Sequence, residues 1–138
     1  MPVRRRGRGA GRTGTRRPVP HNTAPVVDIH IDNGGDCKKF AVGDPINGHV
    51  FAVDANHHFG SWSLSVLPDN LPGGTGVLTP PSSTVETAPA PGDPWHLDTT
   101  GMSTCAYVVL VRSRDRTIVS SIGVGWQSNT VAVGFSLG

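Results

Sequence analysis

One unbroken apolar run, YVVLV at residues 107–111, constrains the fold of this 138-residue chain more than any other stretch. The run is too short for a buried helix, and its β-branched and aromatic side chains are typical of strands. Polar residues 112–116 interrupt the pattern, which resumes at 117–119. We therefore predict two strands joined by a short charged connection. Because both faces of the first run are apolar, we expect a central strand in which Val109 and Leu110 are both buried.

Further stretches with strand character recur along the chain, separated by turns rich in Gly, Pro, Asn and Asp. Apolar and polar residues alternate in the first of them, where Val27, Ile29 and Ile31 share a face. Trp62, Leu64 and Val66 share a face in the same way. We expect the third and fourth stretches to pair as a hairpin. The predicted strands are 25–32, 38–42, 46–54, 59–67, 95–98 and 130–137, besides the two described above.

Residues 25–138 are thus predicted to form one all-β domain. Seven or eight short antiparallel strands without a helix candidate favour an immunoglobulin-like β-sandwich of about 110 residues, with a jelly roll as the nearest alternative. The Pro- and Gly-rich segment 68–94 has little periodicity, and it is either a functional loop or a meander with contacts at a sheet edge. Trp62 and Trp95 are expected in the core. Trp126 lies in a turn-like stretch, and whether it is an exposed contact residue is left open.

The N-terminal arm, residues 1–24, has a different composition. It is rich in Gly and Pro and poor in apolar residues, so we expect it to be disordered. The rest of the chain has five basic and ten acidic residues, a net charge of −5. Arginines can neutralise phosphates whatever the base sequence, which makes the arm a candidate for binding nucleic acid or another polyanion. A solubilising leader or a linker explains the same composition. The arginines of the arm are Arg4, Arg5, Arg6, Arg8, Arg12, Arg16 and Arg17.

The two cysteines, Cys37 and Cys105, are compatible with one long-range disulfide and equally with two reduced thiols. No apolar run is long enough to predict a membrane span, and the basic start is not followed by the apolar segment of a signal peptide. These features therefore do not determine where the protein is located.

Candidate chemistry is sparse. None of the histidines stands in a zinc-binding pattern, and GxSxG and phosphate-binding glycine loops are absent, so we expect no enzyme, cofactor or metal. Asp28, Asp32 and Asp36 could surround a calcium ion, but a turn stabilised by side-chain hydrogen bonds explains them better. The histidines are His21, His30, His49, His57, His58 and His96.

Six segments of the chain have a shared pattern: 48–54, 59–68, 95–102, 105–109, 115–119 and 133–137. Through them the chain resembles, over roughly residues 37–137, the poorly characterised immunoglobulin-like modules of large bacterial secreted or surface proteins. The resemblance implies an extracellular or cell-surface interaction or assembly module, with no functional residue to transfer. The arm is not part of the pattern. The alternative is a small coat or nucleic-acid-packaging protein whose arginine-rich arm binds the genome.

Overall fold

The computed structural model describes residues 24–55, 57–116, 118–120, 123–125 and 127–138, with the backbone alone described for 118–120 and 123–125. These residues form eleven strands and no helix, which confirms the all-β prediction. The strands are β1 (Val26–Ile31), β2 (Lys39–Phe40), β3 (Pro45–Val53), β4 (Phe59–Leu67), β5 (Val77–Thr79), β6 (Ser82–Ser83), β7 (Asp93–Asp98), β8 (Cys105–Asp115), β9 (Ile118–Ser120), β10 (Gly123–Gly125) and β11 (Ser128–Leu137).

Two sheets share one hydrophobic core in a sandwich-like arrangement. The four-stranded sheet has the order β1-β3-β7-β5, and all its neighbours are antiparallel. The five-stranded sheet has the order β2-β11-β8-β4-β6, where only β2 and β11 pair in parallel. The strands β9 and β10 pair with each other as a separate two-stranded sheet.

The core follows from the two-residue period of the strands, which sends alternate side chains to opposite faces. In β1 the buried residues are Val27, Ile29 and Ile31, as predicted. Trp62, Leu64 and Val66 are likewise buried in β4. From the other sheet Trp95 and Leu97 complete the same cluster. Both tryptophans that were expected in the core are therefore confirmed, with exposed fractions of 1% for Trp62 and 2% for Trp95.

β8 is the central strand of the five-stranded sheet, as predicted, but it is covered on one side only. Val109 is fully buried, whereas Leu110 is partly exposed, so the expectation that both are buried is wrong. The side chain of Leu110 faces away from the core, and no second layer of described residues covers that outer face.

The charged connection predicted at 112–116 is also wrong, because β8 continues to Asp115. Alternation persists there with polar residues on the inner face, where Ser113 and Asp115 are buried. Each has a hydrogen bond: the Ser113 hydroxyl donates to the Ser61 carbonyl at 3.1 Å, and the Asp115 carboxylate accepts from the Gln127 amide at 2.6 Å. Oδ2 of Asp115 is buried without a hydrogen-bond partner among the described residues. The hydrogen bonds that are made reduce the cost of burying these polar groups, so the strand need not end where its residues become polar.

The predicted hairpin of the third and fourth strands does not form. β3 pairs with β1 and β7, while β4 pairs with β8 and β6, so the chain passes from one sheet to the other between these two strands. Each of the two strands has one apolar face, and placing them in opposite sheets lets these faces cover each other.

The segment 68–94 is a meander along the sheet edges, one of its two predicted forms. Its short strands β5 and β6 join different sheets. Farther along, the buried Thr87 is fixed to β3, because its amide donates to the Ala52 carbonyl at 3.1 Å and its hydroxyl accepts from the Ala52 amide at 3.0 Å.

Candidate functional site

The outer surface of the five-stranded sheet carries small and apolar side chains across its three long strands. Two rows of paired residues cross this surface, as the registers of β8 with β4 and β11 require. We call this surface the outer five-strand face. Its residues are Ser65, Leu67, Val108, Leu110, Ala132 and Gly134.

Exposure along the outer five-strand face is uneven. Val108, Leu110 and Gly134 are partly exposed, and Ala132 and Leu67 are exposed, with a value of 38% for Leu67. None of the residues of the face is charged. The next two outward positions of β8 are Arg112 and Arg114, both exposed, so positive charge is confined to one end of the strand.

A second group of polar side chains lies at β1, which is an edge strand of the four-stranded sheet. The imidazole of His30 lies between two carboxylates: Nε2 is 2.9 Å from Oδ2 of Asp28, and Nδ1 is 3.0 Å from Oδ2 of Asp36. We call Asp28, His30 and Asp36 the His30 cluster. All three side chains are largely exposed.

The two carboxylates of the His30 cluster also accept backbone amides of β1. Oδ1 of Asp28 accepts from the Ile29 amide at 2.9 Å, and Oδ1 of Asp36 accepts from the Ile31 amide at 2.8 Å. The backbone amides of the even-numbered residues of β1 point to β3, since the Asp32 amide donates to the Asn47 carbonyl. The amides of Ile29 and Ile31 therefore point to the opposite side of β1, where the sheet has no further described strand, and the carboxylates cap them.

These contacts shift two pKa values. The hydrogen bond to Asp36 is the largest cause that raises the pKa of His30 above 6.5, followed by the hydrogen bond to Asp28. The pKa of Asp36 is lowered from 3.8, first by the hydrogen bond from the Ile31 amide and then by His30. Both charged forms are therefore favoured in the folded state.

Two further histidines extend the polar surface across β3 and β7. His49 lies opposite His30 in the strand register, and its Nδ1 contacts Oδ2 of Asp32. His96 contacts the side-chain oxygen of Asn47 at 2.7 Å. Within the part of the chain that the structure describes, no three or more His, Cys, Asp or Glu residues are grouped to hold a metal ion.

The turn after β1 is held by side chains, as the preferred interpretation of its aspartates predicts. Asn33 bridges it to β3, accepting from the Asn47 amide at 2.7 Å and donating to the Pro45 carbonyl at 2.8 Å. The Asp36 carboxylate accepts a hydrogen bond from the Ile31 amide of β1, as described above. The acidic residues of this segment are thus engaged with histidines and amides.

The cysteines lie on opposite sides of β11. The Cys37 amide donates to the Gly134 carbonyl of β11 at 2.8 Å, while Cys105 pairs with Leu137 from the other side, in β8. Two strand spacings separate them, about 10 Å, whereas a disulfide needs Cα atoms within about 7 Å. Both are free thiols in this structure. The long-range disulfide that the sequence allowed is therefore not formed.

Some predicted features lie outside the described residues. The seven arginines of the arm are among them, so their disorder and their binding of polyanions stay predictions. Trp126 is also outside. Within the described ranges, no helix has the length and apolar character needed to cross a membrane.

Sequence reasoning missed both surfaces. The spacing Asp28-x-His30 places two polar side chains on one face of a strand, a signal that could have predicted their contact. Asp36 comes from the following turn, and no local pattern predicts that it returns to His30. The outer five-strand face was missed because the apolar run at 107–111 was interpreted as a strand with both faces buried.

Comparison of the chain with protein-family models, with curated proteins and with solved structures found no match.

Proposed function

We propose that this chain is a non-enzymatic immunoglobulin-like β-sandwich module of extracellular or surface type that serves interaction or assembly. The observation that carries the proposal is the outer five-strand face, which presents uncharged small and apolar side chains on three neighbouring strands. The centres of protein interfaces are depleted of charged residues, and the outer five-strand face shares this property.

The strand orders support the immunoglobulin-like assignment. In constant-type domains one sheet has the order A-B-E-D and the other has C, F and G. Assigning the letters in chain order gives A, B, E and D to β1, β3, β7 and β5, and C, F and G to β4, β8 and β11. The short strands β2 and β6 are then additions at the edges of the second sheet.

Two side chains support it further. Such domains bury a tryptophan on strand C, and Trp62 of β4 is 1% exposed. They also have a tyrosine near the start of strand F whose hydroxyl bonds the backbone a few residues upstream. The hydroxyl of Tyr107 donates to the Ser103 carbonyl at 2.6 Å. Two residues later, where antibody domains have a cysteine, this chain has the buried Val109.

The occupant that we propose for the outer five-strand face is a second copy of this chain. The three long strands of the sheet span about 14 Å, and β8 is about 36 Å long, so their outer side has a projected area of about 500 Å². The rest of the roughly 800 Å² that each partner buries in a standard interface would come from the short edge strands and the connections. A two-fold axis between the copies, running across the strands near Leu110, sets Arg112 and Arg114 of each copy over Val108 and Ala106 of the other. The arginines of the two copies are thereby kept apart.

The test is the oligomeric state measured by sedimentation equilibrium over a range of protein concentrations. We expect the parent chain to dimerise and Leu110→Lys to be monomeric, since a lysine at the centre of the face would bury charge against its symmetry mate. Val26→Lys is the matched control, because Val26 is an exposed valine, at 55%, on the other sheet. A parent chain that stays monomeric, or equal dimerisation by Leu110→Lys and the parent, would refute this interface. Circular dichroism establishes that each variant is folded.

A second function, the packaging of nucleic acid as a small coat protein, is favoured by the exposed Arg112 and Arg114, which add positive charge to that of the arm. Co-purifying nucleic acid, detected by absorbance before and after a high-salt wash, distinguishes it from a pure protein-assembly role. If the seven arginines of the arm each neutralise one phosphate, the slope of log K against log salt is about −6. Binding independent of salt, or selective for one sequence, would contradict this function.

A further inference from the structure

The His30 cluster has a hydrogen-bonding arrangement that suits one protonation state of the ring. A neutral imidazole has one N–H and one acceptor nitrogen, and an ionised carboxylate can only accept. Both nitrogens of His30 lie at hydrogen-bond distance from carboxylate oxygens, 2.9 Å and 3.0 Å away. Both contacts can be hydrogen bonds only while both nitrogens carry hydrogen, that is, while the ring is an imidazolium.

The side chains of the cluster also bind backbone amides. Asp28 and Asp36 use their other oxygens to cap the Ile29 and Ile31 amides on the side of β1 that faces away from β3. Asp36 belongs to the turn between β1 and β2, so its contacts fix this turn against the four-stranded sheet.

The next residues of the turn are fixed to the other sheet. The Cys37 amide donates to the Gly134 carbonyl at 2.8 Å, and β2 pairs in parallel with the end of β11. The segment from His30 to Phe40 therefore joins the two sheets, with the His30 cluster at its first end and β2 at its second.

We propose that the His30 cluster is a pH-sensitive latch that holds the β1–β2 connection closed and the edge amides of β1 capped while His30 is protonated, and that loss of this proton opens it. Deprotonation leaves one ring nitrogen as an acceptor facing a carboxylate, so one of the two contacts is replaced by repulsion of lone pairs. Asp28 and Asp36 then repel each other without a cation between them.

Besides its own members, the latch has charged or titratable neighbours in the turn and on β3. In the turn, the Lys38 side chain passes beside Gly34. From β3, His49 stands opposite His30 and contacts Asp32. Because Asp32 faces His49, that pair does not supply a substitute cation for Asp28 and Asp36.

The direction of the pH dependence follows from the two shifts. The pKa of His30 is raised from 6.5, so its stabilising contribution is complete below 6.5 and is lost as the pH rises through the higher folded value. The pKa of Asp36 is lowered from 3.8, so its contribution is complete above 3.8 and is lost as the pH falls through the lower folded value. The latch is therefore fully closed between these limits and opens on the alkaline side through His30.

The test is an NMR titration of the full chain that follows the His30 ring and the amide protection factors of Ile29 and Ile31. We expect His30 to titrate above 6.5, and the protection of the Ile31 amide to fall several-fold with the same midpoint. In His30→Gln, the protection should be low and independent of pH across this range. The matched control His96→Gln removes a histidine on the same sheet that contacts Asn47 and not the cluster. It should keep the transition.

Two results would overturn the latch. One is titration of His30 at or below 6.5 in the folded chain. The other is unchanged protection of the Ile31 amide on the two sides of the His30 midpoint. Because protection factors are corrected for the intrinsic exchange rate at each pH, the ordinary base catalysis of exchange does not imitate the expected change.

Discussion

The indole ring of Trp95 fills the space that Gly48 leaves empty on the neighbouring strand. The two residues are directly paired between β7 and β3. A Cβ atom added to Gly48 would lie 2.5 Å from carbons of the Trp95 ring and 2.1 Å from the His30 carbonyl. The glycine is thus required by the close approach of a buried aromatic ring and of the adjacent strand.

Gly48→Ala should accordingly destabilise the fold by about 1–3 kcal/mol, the usual cost of overpacking a core. Chemical denaturation measures the free energy of unfolding. Gly134→Ala is the control, because it too replaces a strand glycine, yet its added Cβ would meet nothing closer than 3.7 Å. Equal effects of the two substitutions would mean that steric room at Gly48 is not what matters.

Val109→Ala and Leu110→Ala should differ, although the residues are adjacent. Val109 is fully buried, and its truncation is expected to cost about 2–3 kcal/mol once the cavity is included. Leu110 is partly exposed, so the unfolding free energy of the monomer should fall by less than about 1 kcal/mol. Arg112→Ala, at an exposed position of the same strand, should change stability by less than about 0.5 kcal/mol. A costly Leu110→Ala in the monomer would show that the outer side of β8 is covered.

The contrast between Val109 and Leu110 also shows how far the sequence could predict the fold. Alternation identified the inner faces of β1 and β4, because polar residues mark the solvent side of each strand. In β8 that marker is missing, since Val108 and Leu110 are apolar on a face that no layer of described residues covers. Local sequence does not distinguish a doubly covered strand from one with an apolar surface open to solvent or to a partner.

Strand pairing was harder still to predict. A short turn favours a hairpin, yet β3 and β4 enter different sheets because the apolar faces of both need an opposing layer. The partners of Ser113 and Asp115 come from distant residues, so the polar end of β8 resembled a loop. For the same reason the third member of the His30 cluster, Asp36, could not be predicted.

Tyr107→Phe removes a single hydroxyl and tests the link between the start of β8 and the preceding turn. The lost hydrogen bond to the Ser103 carbonyl, 2.6 Å long, should cost about 1 kcal/mol of unfolding free energy. Burial raises the pKa of Tyr107 above 10, so its hydroxyl remains a donor at neutral pH. Denaturation at neutral pH is the measurement, and an unchanged midpoint would show that this hydrogen bond adds no stability.

Deletion of residues 1–24 should leave the melting temperature nearly unchanged, since every described strand begins after them. A change of about 5 °C corresponds to roughly 1 kcal/mol for a domain of this size. Thermal unfolding of the full and shortened chains at matched salt is the comparison. A larger decrease in the shortened chain would mean that the arm contacts the β domain.

The position of β11 has a consequence for how the protein is made. β11 lies between β8 and β2, so it joins residues from the first third of the described chain to those from the last third. While a ribosome is still synthesising residues 128–137, the central strand β8 has only one of its two neighbours and β2 has no partner in its sheet. The five-stranded sheet can therefore close only after these residues emerge, and its apolar inner face must stay protected from aggregation until then.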